Sequence, residues 1–189
     1  MYIRRIRNSI ILTLLLFLIV SCSTLLGIKS PGRIQKSDAI DYLTKHNIDT
    51  TNVIFLKENW LDTLKKKSFK PDWESGFRPI QFKIFSKNDT LIFQYSTCEC
   101  KLKDTRIYEQ FPPKNITPID TSYTIFDEQK LTNELISKKT DTDYIAIIYW
   151  ATYTGIPGRK MLTKVERILR ENKEKITIYK LNTDDVFNK

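Results

Sequence analysis

Residues 144–151, read as Tyr-Ile-Ala-Ile-Ile-Tyr-Trp-Ala, contain no charged side chain and no polar–apolar alternation. An alternating strand leaves one face in water, whereas an unbroken apolar run predicts a strand covered on both faces, in the middle of a sheet. The following residues narrow the choice. Over 158–172, Met161, Leu162, Val165, Ile168 and Leu169 fall on one helical face, and 176–181 again reads as a strand. Strand, amphipathic helix and strand predict a parallel pair joined by a right-handed crossover.

Upstream, Ile80, Phe82 and Ile84 alternate with Gln81 and Lys83, and Leu91, Phe93 and Tyr95 alternate across Gln94. Ser86, Lys87, Asn88 and Asp89 supply turn residues between them, which predicts an antiparallel hairpin. Shorter elements are expected elsewhere: a helix capped by Ser37 and ending at His46, a strand at 53–56, and a helix at 58–67. An irregular loop at 69–79 is pinned by Trp73 and Phe77. A helix capped by Asp127 carries Leu131, Leu135 and Ile136, and the proline-marked stretch 101–122 reads as irregular. The expected fold class is α/β in the broad (α+β) sense, a mixed β-sheet with an antiparallel hairpin and a C-terminal βαβ unit.

The N-terminus has a different character. Arg4, Arg5 and Arg7 precede an apolar run of about 11 residues, too short to span a bilayer core, which needs roughly 20. A charged head, a short apolar run and small residues predict a secretory signal. Leu18-Ile19-Val20-Ser21-Cys22 resembles the lipobox of bacterial lipoproteins. That resemblance implies cleavage before Cys22, a diacylglycerol on its sulfur and an acyl group, such as palmitate, on its amine. Two or three chains hold a protein stably where one holds it marginally. The organisation expected is a signal peptide at 1–21, a lipidated N-terminus and tether at 22–36, and one globular domain at 37–189. Ser23 after the cysteine favours the outer membrane, with the domain facing the periplasm.

Without residues 1–21 the chain carries 28 basic and 22 acidic side chains, a net charge of +6. A basic balance invites a nucleic-acid reading, but an envelope protein meets no nucleic acid. The densest run, Lys65-Lys66-Lys67, reads as a solvated helix end.

Lipidation of Cys22 leaves Cys98 and Cys100 as the remaining thiols. An oxidising compartment favours a disulfide, yet two steps along a strand cover about 6.6 Å, near the upper limit for bridged Cα atoms. Three states stay open for this pair: a strained inert disulfide, two reduced thiols at a strand end, or an exchanging redox pair. His46 is the only histidine, which excludes a histidine-rich zinc site. Asp184 and Asp185 read as a solvated tail. No cofactor is expected.

The segment 144–182 resembles the thioredoxin family around its active site, where a buried strand leads through Trp-Ala-x-Trp and Cys-Gly-Pro-Cys into a helix. Here Trp150 and Ala151 match, and Tyr153 replaces the second tryptophan. Thr154 stands at the first cysteine, Gly155 matches, Ile156 is extra, Pro157 matches, and Gly158 stands at the second cysteine before Arg159 and Lys160. Thiol exchange needs a thiolate at the helix N-terminus; neither threonine nor glycine supplies one. The resemblance therefore implies a degenerate thioredoxin-like fold, redox-inactive at this site, with Trp150 or Tyr153 lining a surface that contacts an envelope protein or peptide; the alternative is that these aromatics close the top of the core. The function expected is a membrane-anchored accessory or binding lipoprotein rather than an enzyme. The rival readings are a thiol-disulfide oxidoreductase using Cys98 and Cys100, and an immunity or assembly lipoprotein.

Overall fold

The structure is a computed structural model and describes residues 26–58, 60, 80–96, 120–136, 142–171 and 175–187. Its elements, in order, are β1 (Arg33–Gln35), α1 (Lys36–Lys45), β2 (Val53–Phe55), β3 (Gln81–Phe85), β4 (Thr90–Ser96), β5 (Asp120–Thr124), α2 (Ile125–Gln129), β6 (Tyr144–Trp150), α3 (Gly155–Glu171), β7 (Ile176–Asn182) and β8 (Asp185–Phe187). The loop expected at 69–79 and most of the helix expected at 58–67 lie outside the described residues.

Six strands form one mixed sheet in the order β2-β7-β6-β3-β4-β5. β6 pairs parallel with β7 over its whole length, Tyr144 opposite Ile176 and Trp150 opposite Asn182. On its other side it pairs antiparallel with β3, Phe82 opposite Ile148. The fold class is thus the expected one. The apolar strand is internal, α3 joins it to its parallel partner, and the hairpin β3–β4 belongs to the same sheet. Asp89, at φ 63°, makes the hairpin turn, a left-handed position that aspartate tolerates.

Burial explains why β6 has no polar residue. Ala146, Ile148 and Trp150 join a core with Ala39 and Leu43 of α1 and Met161, Leu162, Val165 and Leu169 of α3. Ile145, Ile147 and Tyr149 face the opposite way, into a core with Ile54, Phe85, Leu91, Ile125, Ile136 and Leu181. Period-2 geometry sends alternate side chains to opposite faces, so a strand covered twice must be apolar throughout.

Each face also buries one lysine. Lys180, fully buried on β7, gives its ammonium to Glu166 of α3 at 2.8 Å; Arg170 meets the same carboxylate at 2.8 Å. Lys83 of β3 meets Glu128 of α2 at 2.6 Å, and Glu128 is fully buried. Both pairs tie a covering helix to the sheet.

Local boundaries differ from the expected ones where backbone groups found other partners. α1 begins at Lys36 rather than after Ser37, because Gln35 is the N-cap and its N–H donates to Asp38 at 3.1 Å. Thr124, not Asp127, caps α2; Asp127 sits at the third helical position and accepts the Thr124 N–H at 2.9 Å. That helix stops at Gln129, leaving Leu135 exposed and Ile136 buried. Three strands had no sequence signal: β5 at the end of the stretch read as irregular, and β1 and β8, which pair parallel as a separate two-stranded sheet.

Removing one partner of a buried ion pair strands the other charge and costs about 3–5 kcal/mol, whereas replacing both by apolar groups costs far less. Glu166→Met, which leaves the fully buried Lys180 ammonium with the more distant Asp49 at 3.5 Å, is expected to destabilise the domain by about 3 kcal/mol in urea unfolding, and adding Lys180→Met to recover most of that loss.

Candidate functional site

β6 and β7 end together, and the motif lies between the end of β6 and the start of α3. After Trp150 the chain makes one 3₁₀ turn, Thr152–Thr154, and reaches Gly155 at φ 60°, ψ −146°. That conformation is open essentially to glycine alone. The helix therefore starts at Gly155, three residues before the expected start at Gly158. Pro157 falls in its first turn, where a missing N–H costs nothing.

A buried carboxylate holds the turn. Asp184 accepts the Thr152 backbone N–H and hydroxyl, each at 2.8 Å, and the Asn182 amide at 2.8 Å. It is 3% exposed, so the expected solvated tail does not exist at this position. The Thr183 backbone N–H and hydroxyl both donate to the Trp150 carbonyl, at 2.8 and 3.1 Å, which locks the two strand ends together. Burial raises the Asp184 pKa above the usual carboxylate range, against the lowering effect of these hydrogen bonds.

Thr154 and Gly158 form one packed unit. The Thr154 hydroxyl donates to the Ala151 carbonyl at 2.6 Å and the residue is buried. A Cβ on Gly158 would overlap the Thr154 hydroxyl, so Thr154 occupies the space that a side chain at 158 would need. The residues at 154 and 158 are coupled by volume.

Trp150 does not line a surface. It is 2% exposed, joins the main core, and stacks against Tyr42 of α1 with ring centroids 6.1 Å apart. Tyr153 is half-buried, and burial pushes its phenol up to about 12. His46, at the C-cap of α1, lies against the Arg159 guanidinium at 2.8 Å and the Tyr42 ring at 4.7 Å. Desolvation, with the Arg159 and Lys45 charges, lowers its pKa below 6.5.

The segment read as a free tether closes this end. The Leu26 carbonyl accepts the Ile156 N–H at 2.8 Å, and the Lys29 N–H donates to the Tyr153 carbonyl at 2.9 Å. Gly27, at φ 66°, lets the strap lie flat on Gly155, where any Cβ would overlap the Leu26 carbonyl and the Gly27 backbone. The surface expected to receive a peptide is occupied by the chain itself.

A second polar group was not foreseen. Lys83 and the Tyr123 hydroxyl lie 3.1 Å apart; both bond Glu128, the tyrosine at 2.8 Å, and Tyr149 donates to the other carboxylate oxygen. Burial and the Glu128 charge hold both phenols far above neutral pH. Neither becomes a phenolate nucleophile, and the cluster fastens α2 to the sheet. Single polar residues within apolar strands were its only sequence signal. Cys22, Cys98 and Cys100 lie outside the described residues. Among the described residues no three histidine, cysteine or carboxylate side chains gather as metal ligands.

Two outcomes follow from this geometry. Gly155→Ala is expected to cost about 1–3 kcal/mol from backbone strain alone, whereas Gly32→Ala, with open space around it, should stay within about 0.5 kcal/mol in the same thermal unfolding series. The folded state holds His46 below 6.5, so the unfolded chain binds more protons there and this residue's contribution to stability falls as pH drops below that value. An NMR titration of the single imidazole should give a midpoint below 6.5, and Arg159→Gln should raise it.

No protein-family model matches the chain, and no curated protein or solved structure matches it, which leaves these side chains as the guide to function.

Proposed function

We propose that the chain is a non-enzymatic envelope lipoprotein, anchored through acylated Cys22, in which a thioredoxin-like domain serves as a scaffold for an accessory or protein-binding role. One observation carries the non-catalytic half: Thr154 fills the space beside Gly158, and its hydroxyl is already bonded to Ala151. Around it, Asp184 is saturated by Thr152 and Asn182, and the Tyr153 phenol stays protonated at neutral pH. Among the described residues no nucleophile stands beside a free base at this end of the sheet. The thioredoxin-like reading is supported by the sheet order, with the hairpin β3–β4 beside the βαβ unit although it enters from the N-terminal side. The lipobox-like segment ending at Cys22 supports the anchor. The partner is an envelope protein or peptide.

Intact mass of the protein from bacterial membranes is expected to show a chain starting at Cys22 with its acyl groups attached. A chain that retains 1–21, or begins at Cys22 without lipid, sinks the anchor. In a disulfide-reduction assay the mature chain should show no turnover; turnover that disappears in a Cys98→Ser, Cys100→Ser variant would restore the oxidoreductase reading.

A further inference from the structure

We infer that the motif-bearing end of the domain is a membrane-docking surface, seated on the bilayer that holds the N-terminal lipid. The inference rests on acylation of Cys22 and adds an orientation to it. Leu26 lies four chain steps beyond Cys22, so their Cα atoms lie at most about 14 Å apart, at roughly 3.3–3.6 Å per extended residue. Leu26 is no free linker, since its carbonyl holds the Ile156 N–H and Lys29 holds the Tyr153 carbonyl. The headgroup layer is itself about 5–8 Å deep on each side of the hydrocarbon core. The ends of β6 and β7 and the first turn of α3 are therefore kept at the membrane surface as long as the strap stays bonded.

The strap is built for that contact. Four large apolar side chains stand exposed among the described residues, and two of them, Leu26 at 37% and Ile28 at 42%, lie in these few residues. Lys29 and Lys160 are exposed and Arg159 is half-buried at the same end. Asp184 is buried there, leaving Asp185 as the exposed carboxylate that follows it. Apolar side chains entering the interface, ringed by cations, match an anionic leaflet. A soluble peptide at this end would first have to displace the strap.

The test uses the chain from Cys22, with Cys98→Ser and Cys100→Ser, coupled at Cys22 to a maleimide lipid. It is placed in nanodiscs of phosphatidylethanolamine and phosphatidylglycerol that contain a headgroup-nitroxide lipid. The expected result is methyl signals of Leu26, Ile28 and Ile156 broadened several-fold more than those of Ile168, about 20 Å along α3, and Ile176. Leu26→Ser with Ile28→Ser should reduce the broadening at Ile156. Equal broadening throughout overturns the proposal. So does broadening of Leu26 and Ile28 without Ile156, because the strap has then let go. A dimer of the unanchored domain that Leu26→Ser with Ile28→Ser abolishes assigns the face to a second copy and overturns it too. The unsubstituted protein purified with its own anchor gives the same comparison without the cysteine changes. Since the lipid is attached chemically, a cell-made chain without acyl groups would sink the anchor alone, and uniform broadening would sink the docking face alone.

Discussion

A strand with no wet face is the constraint on which the rest of this structure depends. β6 is apolar on both sides, so it can exist only with neighbours along both edges and a layer over each face. α1 and α3 supply one layer and α2 contributes to the other. Apolar contact alone does not say which helix lies where, because it is non-directional. Lys180 and Lys83 point to opposite faces from strands on either side of β6, and each meets a glutamate from a covering helix. A buried charge without its partner is costly, so these two pairs penalise any other seating of α3 and α2.

The same geometry determines what the end of the sheet can do. Parallel strands β6 and β7 finish side by side, and their backbone ends are tied by Thr183 to Trp150 and by Asp184 to Thr152. Catalysis at a helix start requires side chains with spare capacity there. Here the Thr154 hydroxyl is engaged by Ala151, Asp184 by three donors and the Ile156 N–H by the strap, while the buried Trp150 indole N–H finds no acceptor among the described residues. The junction is bonded as a structural element.

The strongly periodic elements were legible in the sequence because their signal is local. The run at 144–151, the amphipathic helix after it and the alternating hairpin each announce their own partner layer. The separate sheet β1–β8 was not legible, since each strand has three residues and their pairing joins Arg33 to Asp185. Asp184 looked like tail because nothing in its neighbours says that Thr152, 32 positions away, needs a cap. At the motif, the missing sulfurs could be read from Thr154 and Gly158. That the threonine fills the glycine's space could not, because it depends on the turn between them. Trp150 was placed at the correct strand end, and of its two readings, lining a surface or closing the core, the structure shows the second; Tyr42, whose ring covers it, comes from α1.

The parallel pairing of β1 with β8 bears on how the molecule is made. Residue 33 finds its partner only after residue 185 has been synthesised, so the first described strand waits for the last. Closing so long a loop costs little more than closing one half its length, because the entropy grows only logarithmically, but contacts this distant slow the search. A chain tethered near residue 22 before its C-terminus arrives would make that search beside a lipid surface, with Leu26 and Ile28 uncovered in the meantime. In such a chain folding and anchoring would be competing events in time, and the order in which they finish would decide whether the strap closes on α3 or stays in the lipid.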